Sequence, residues 1–126
     1  MAHLCALKRV ESVELDYRQL TLLYRQMGTH GAETVIARAS QELDSRLQRC
    51  EQLWRMQEAA ALRKCARSTI AIAEQIGMEA LARVARDVTI AADQGDRVAV
   101  AATLARLRRI GQESLRAVWQ MRGVSV

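Results

Sequence analysis

No proline interrupts the 126 residues of this chain, and glycine appears only six times. A β or α/β domain normally needs more turn punctuation than that to reverse its strands. The chain is instead filled with Ala, Leu, Arg, Gln and Glu, which are strong helix formers. Half of it is apolar, without a single phenylalanine, so a core must be assembled from Leu, Ile, Val, Met and Ala. The fold class these facts dictate is all-α. One domain is expected over 1–126, long enough to bury a core of its own.

Apolar positions recur at steps of three and four, the mark of one helix face. A first stripe runs through 13, 17, 20, 24 and 27, widened by Leu15, Leu22 and Leu23. Gly28-Thr29-His30-Gly31 then reads as a turn between two helices. A second helix starts at Ala32 with the stripe Val35/Ile36, Ala39, Leu43, Leu47, Cys50 and Trp54. Its end is unmarked, because Met56-Gln57-Glu58 contains no Gly, Pro or Asn. An unbroken helix over 32–76 would far exceed the usual length of about 8–20 residues, which places a break at 56–58. A third helix over 59–76 ends at Gly77, a residue suited to a left-handed C′ position. A fourth covers 78–93 and buries Met78, Leu81, Val84/Ala85, Val88 and Ala92. After Gln94-Gly95-Asp96, a fifth runs from 97 to about 121 with Val100, Leu104, Leu107, Gly111, Leu115 and Val118 on one face. Gly111 within that stripe either costs stability or lets a neighbouring helix come close. The expected architecture is an antiparallel four-helix bundle with an additional N-terminal helix, residues 1–12 extending that helix or fraying from it.

The formal charge is +5 and its distribution is uneven. Basic and acidic residues cancel over 1–96, whereas 97–126 carry six arginines against Glu113 alone. A basic last helix suits nucleic acid, an anionic membrane or an acidic partner. Neither interleaved aromatics nor a DNA-reading motif accompanies it, so nucleic acid is not the expected partner. No apolar run approaches the roughly 18 residues of a membrane span, and no signal peptide is evident; the expected location is the cytoplasm. Cys5, Cys50 and Cys65 are odd in number and lack ligand spacing, which reads as reduced packing residues rather than a disulfide or zinc site. No metal or cofactor site is expected.

One stretch carries a further pattern. Leu62–Gly77, LRKCARSTIAIAEQIG, leads into Leu81-Ala82-Arg83-Val84-Ala85-Arg86-Asp87-Val88 and then Gly95-Asp96. Helix, closing glycine, helix and Gly-Asp turn together resemble the centre of a histidine-containing phosphotransfer (HPt) domain, the helical module of bacterial phosphorelays. The likeness extends over about Leu20 to Val118. In that frame the phosphoacceptor histidine falls ten residues before Gly77, where this chain has Arg67, and the family's supporting lysine and glycine fall on Ile70 and Ala71. A guanidinium stays protonated and offers no lone pair to an acyl phosphate, and Ile70 removes the cation beside it. Ala71 keeps the room that the glycine provides.

The resemblance therefore implies a phosphorelay module that does not accept phosphate. It would bind a response-regulator receiver domain or a histidine kinase as modulator or scaffold. The expected partner face is Arg63, Lys64, Arg67, Ile70, Ala71 and Glu74, with no catalytic residue and no enzymatic activity. His3 and His30 lie off this helix, and no histidine follows residue 30. Two other readings stand beside this one: a self-associating structural bundle, and a C-terminal helix that binds nucleic acid or membrane. Trp54 and Trp119 are expected in core or bundle-end packing.

Overall fold

A computed structural model of the chain describes residues 15–125, with side chains described as far as Met121. Four helices follow one another: α1 (Tyr17–Arg55), α2 (Ala59–Gln75), α3 (Glu79–Asp93) and α4 (Arg97–Ser125). Each packs on its neighbour in sequence, and α4 closes the ring against α1, giving an all-α four-helix bundle.

The three connections share one geometry. After α1, Gln57 N donates to Trp54 O and Glu58 N to Leu53 O. After α2, Gly77 N donates to Glu74 O and Met78 N to Ala73 O; after α3, Gly95 N donates to Ala92 O and Asp96 N to Ala91 O. This is the Schellman arrangement, which satisfies the last carbonyls of a helix through one residue of positive φ. Gly77 (φ 74) and Gly95 (φ 67) fill that position without steric cost, whereas Gln57 adopts it at φ 60 with a side chain attached. The break at 56–58 therefore exists, and it was unmarked in sequence because a glutamine holds the place of a glycine.

Asp16 caps α1, its Oδ1 accepting from Arg18 N and Gln19 N, and Asp96 Oδ1 accepts from Ala99 N at the start of α4. Side-chain oxygens in these positions satisfy backbone donors that have no partner within the helix.

The expected four-residue turn at 28–31 is a single-residue kink. Gly28 alone leaves helical geometry (φ 74, ψ 170) within α1, and Thr34 Oγ1 already donates to His30 O one turn later. The segment before the kink meets the bundle on a narrow side. Leu20 and Leu23 are buried, but Tyr17, Leu22 and Met27, expected on its apolar stripe, are exposed. The reason is its seat on the α2–α3 turn: Asp16 N donates to Gly77 O (2.7 Å) and Gln19 Nε2 to Gln75 O (3.1 Å). A Cβ on Gly77 would stand 2.8 Å from the Asp16 carbonyl oxygen. Val13 lies outside the described residues, as does the 1–12 extension.

One apolar cluster draws on all four helices, with Ile36, Leu43, Leu62, Ile76, Met78, Leu81, Val88, Leu107, Ile110 and Val118 fully enclosed. Gly111 has the second of its two expected roles, since a Cβ there would run into Leu47 Cδ1, which would have to shift to keep α4 as close to α1. Trp119 corrects the sequence reading: it is 48% exposed on α4 rather than packed. Trp54 is half-buried at one end of the bundle, with the Arg97 guanidinium 5.8 Å above its ring.

The C-terminal arginines are partly engaged inside the bundle. Arg106 pairs with Asp87 of α3 (3.8 Å) and Arg108 with Glu51 of α1 (3.2 Å). Among the described residues no helix is long and apolar enough to cross a membrane.

Candidate functional site

Successive residues of α2 turn by about 100°, which sorts the helix into two faces. Leu62, Cys65, Ala66, Thr69 and Ala73 point inward and are buried. Arg67 follows Ala66 and precedes Thr69 by two residues, so it stands on the far side of the helix and is exposed. Lys64, Ala71 and Glu74 are exposed with it, while Arg63 and Ile70 are half-buried along the edge. The six residues singled out in sequence thus share one side of α2. Ile70 is the exception in character, because it leans on the apolar core rather than standing free.

The edge that carries Arg63, Ile70 and Glu74 runs beside α3. Arg63 Nε donates to Asp93, and Arg86 Nη2 donates to Glu74. These two ion pairs tie both ends of the edge to the neighbouring helix. Exposed pairs of this kind contribute only about 0.2–1 kcal/mol each, so their main effect is to fix orientation. On α3, Arg86, Ile90 and Asp93 are spaced i, i+4 and i+7 and therefore share a face. Ile90 is thus bracketed by the two ion pairs and is 53% exposed.

The result is a surface patch spanning two helices. An exposed isoleucine from α3 and a half-buried one from α2 share it with Arg67, and a charged pair stands at each end. Sequence reasoning missed Ile90, Arg86 and Asp93. The signal was present, since Ile90 falls outside the buried stripe Leu81, Val84/Ala85 and Val88 and is the one large apolar residue left over on that helix.

Behind this patch, the inner side of α2 makes polar contacts with α1. Arg46 Nη1 donates to Ser68 Oγ (2.8 Å), and Ser68 Oγ donates to Cys65 O (2.9 Å). Thr69 Oγ1 also donates to Cys65 O (2.9 Å), and Cys65 Sγ donates to Arg46 O (3.4 Å). Cys50 and Cys65 are free and buried, as the sequence reading expected of packing cysteines. Cys65 Sγ also reaches the turn of α1 that carries Cys50, through the Arg46 carbonyl four residues before it, which linear spacing did not reveal. The hydrogen bond received from Cys50 lowers the Cys65 thiol to about 7; Arg46 and Arg49 act in the same direction and burial opposes them. Cys50, which donates that bond and is itself buried, is pushed up.

As chemistry, the α2 face offers cations, the Glu74 carboxylate and apolar contact, and it carries no histidine. His30 is exposed on α1 beyond the Gly28 kink, and His3 lies outside the described residues. Among the described residues no three His, Cys, Asp or Glu side chains gather as a metal site. No family model matches the chain, nor does any curated protein or solved structure.

Proposed function

We propose that the chain is an HPt-like signalling module that binds a response-regulator receiver domain, or a histidine kinase, through the α2–α3 face without accepting phosphate. The observation that supports this most is the outer face of α2, where Arg67 stands exposed beside Ala71 and next to the patch formed by Ile70 and Ile90. A small residue one turn from a projecting arginine leaves room for a partner to approach. The Arg63–Asp93 and Arg86–Glu74 pairs hold the flanking side chains in place. Receiver domains present an acidic pocket, which suits a surface bearing Lys64 and Arg67. Arg67 cannot take the phosphoryl group itself, because its guanidinium has no lone pair to give. The module would therefore occupy the docking surface of a transfer partner and act as a scaffold or a competitor. In this reading the segment before Gly28 is the additional N-terminal helix that packs on the bundle.

Self-association is the less supported reading. The exposed apolar residues Tyr17, Leu22 and Met27 are each five positions apart, which spreads them around the helix instead of aligning them.

Capture from a lysate of the source cell tests the proposal, using the wild type, Arg67→Glu and Ile90→Asp. Both substituted positions are exposed, so neither variant should disturb folding. A receiver-containing protein enriched by the wild type and lost by both variants is the expected result. Equal recovery by all three would remove the face from consideration.

A further inference from the structure

The contact between Cys50 and Cys65 serves no purpose in the docking reading and is independent of it. Cys65 Sγ donates to the Arg46 carbonyl, the same carbonyl that lies one helical turn before Cys50 in α1. The Cys65 side chain therefore rests on the turn that presents Cys50. The surroundings are cationic: the Arg46 guanidinium is held by Ser68 at 2.8 Å, and Ser68 in turn donates to the Cys65 carbonyl. Thiols near fixed cations are the ones that react as thiolates. Access differs between the two, since Cys65 keeps 8% of its surface and Cys50 none.

We propose that Cys50 and Cys65 form a two-electron redox pair that takes a small peroxide as oxidant and closes a reversible disulfide between α1 and α2.

The order of events follows from access. The Cys65 thiolate attacks one oxygen of hydrogen peroxide; the O–O bond breaks and the departing hydroxide takes a proton to become water. Cys65 is then a sulfenic acid. Cys50 attacks the Cys65 sulfur, the S–O bond breaks, and the hydroxyl leaves as a second water with the proton Cys50 gives up. Two thiols are oxidised and one peroxide is reduced to two waters. A small dithiol reverses the change by exchange at the bridge. The bridge would fix α2 against α1 two residues before Arg67.

The test uses the full chain carrying Cys5→Ser, which removes the third thiol. Equimolar hydrogen peroxide should convert it to a product lighter by two hydrogens, with no thiol titratable in denaturant and both restored by dithiothreitol. Peptide mapping should join Cys50 to Cys65, and the oxidised chain should melt at a higher temperature because the bridge restricts the unfolded state. Adding Cys50→Ser should leave a sulfenic acid on Cys65 that dimedone traps, and adding Cys65→Ser should leave Cys50 unmodified. Should either serine variant lose its helical circular dichroism, the result on the chain with both cysteines decides alone. The proposal is overturned if both thiols remain titratable after an exposure that oxidises a free cysteine peptide. It is equally overturned if the product is linked between chains, or if Cys65 proceeds to sulfonic acid with Cys50 still free.

Discussion

The two faces of α2 are made from the same short vocabulary and are constrained in opposite ways. Inward, Leu62, Ala66, Thr69 and Ala73 are almost wholly enclosed, and each is fixed in size by what it touches. Outward, Lys64, Arg67 and Ala71 are exposed, and packing does not dictate their identity. A buried position answers to volume; an exposed one answers to solubility or to a partner. The outer face holds a cationic cluster and half-buried Ile70, beside an isoleucine on α3 that folding would be better served by burying. That combination is what folding alone does not require.

Stability measurements can break this contrast. Leu62→Ala should have the largest effect, a loss of about 2–5 kcal/mol in denaturant unfolding, because it empties an enclosed site. A loss below about 0.5 kcal/mol would mean that the inner face does not pack as described. Gly77→Ala should cost about 2–3 kcal/mol, combining a strained positive φ with the approach to the Asp16 carbonyl. The loss should shrink once residues up to Asp16 are removed, which separates the contact from the backbone strain.

Gln57→Gly at the other end of α2 should act in the reverse direction, stabilising by about 0.5–1 kcal/mol through relief of a left-handed side chain. Destabilisation there would show that the Gln57 side chain makes a contact worth more than its strain. Lys64→Ala on the outer face should change stability by less than about 0.5 kcal/mol, measured by thermal and chemical unfolding alike.

The sequence made the helices legible because the chain punctuates them consistently. Gly77 and Gly95 close α2 and α3 where glycine best tolerates positive φ, and the buried stripes of α3 and α4 follow the periodicity except that Ala92 and Leu115 are half-buried while Ile110 and Ser114 are buried beside the expected positions. It was least legible where the punctuation was substituted or over-read. Gln57 turns the chain without announcing it, and Gly31, which looked like the second bracket of a turn, sits inside a helix. Tyr17 and Met27 kept the right spacing for burial, yet the segment they occupy meets the core through Leu20, Leu23 and Tyr24 and leaves them exposed. The candidate face was half visible. Its α2 residues share one side as helical spacing required, but the ion pairs to α3 and the place of Ile90 depend on the register between two helices. The same limit hid the meeting of Cys50 and Cys65.

The central claim is that the outer face of α2 binds a receiver domain and holds no phosphoacceptor. Its most direct test is one mixing experiment with an isolated receiver domain, phosphorylated with labelled phosphate and titrated against wild type and Arg67→Glu. The account predicts that the wild type binds, that Arg67→Glu binds at least about tenfold more weakly, a difference of about 1.4 kcal/mol, and that no label moves to either chain. Unchanged binding by Arg67→Glu, or labelled phosphate appearing on the chain itself, would contradict it.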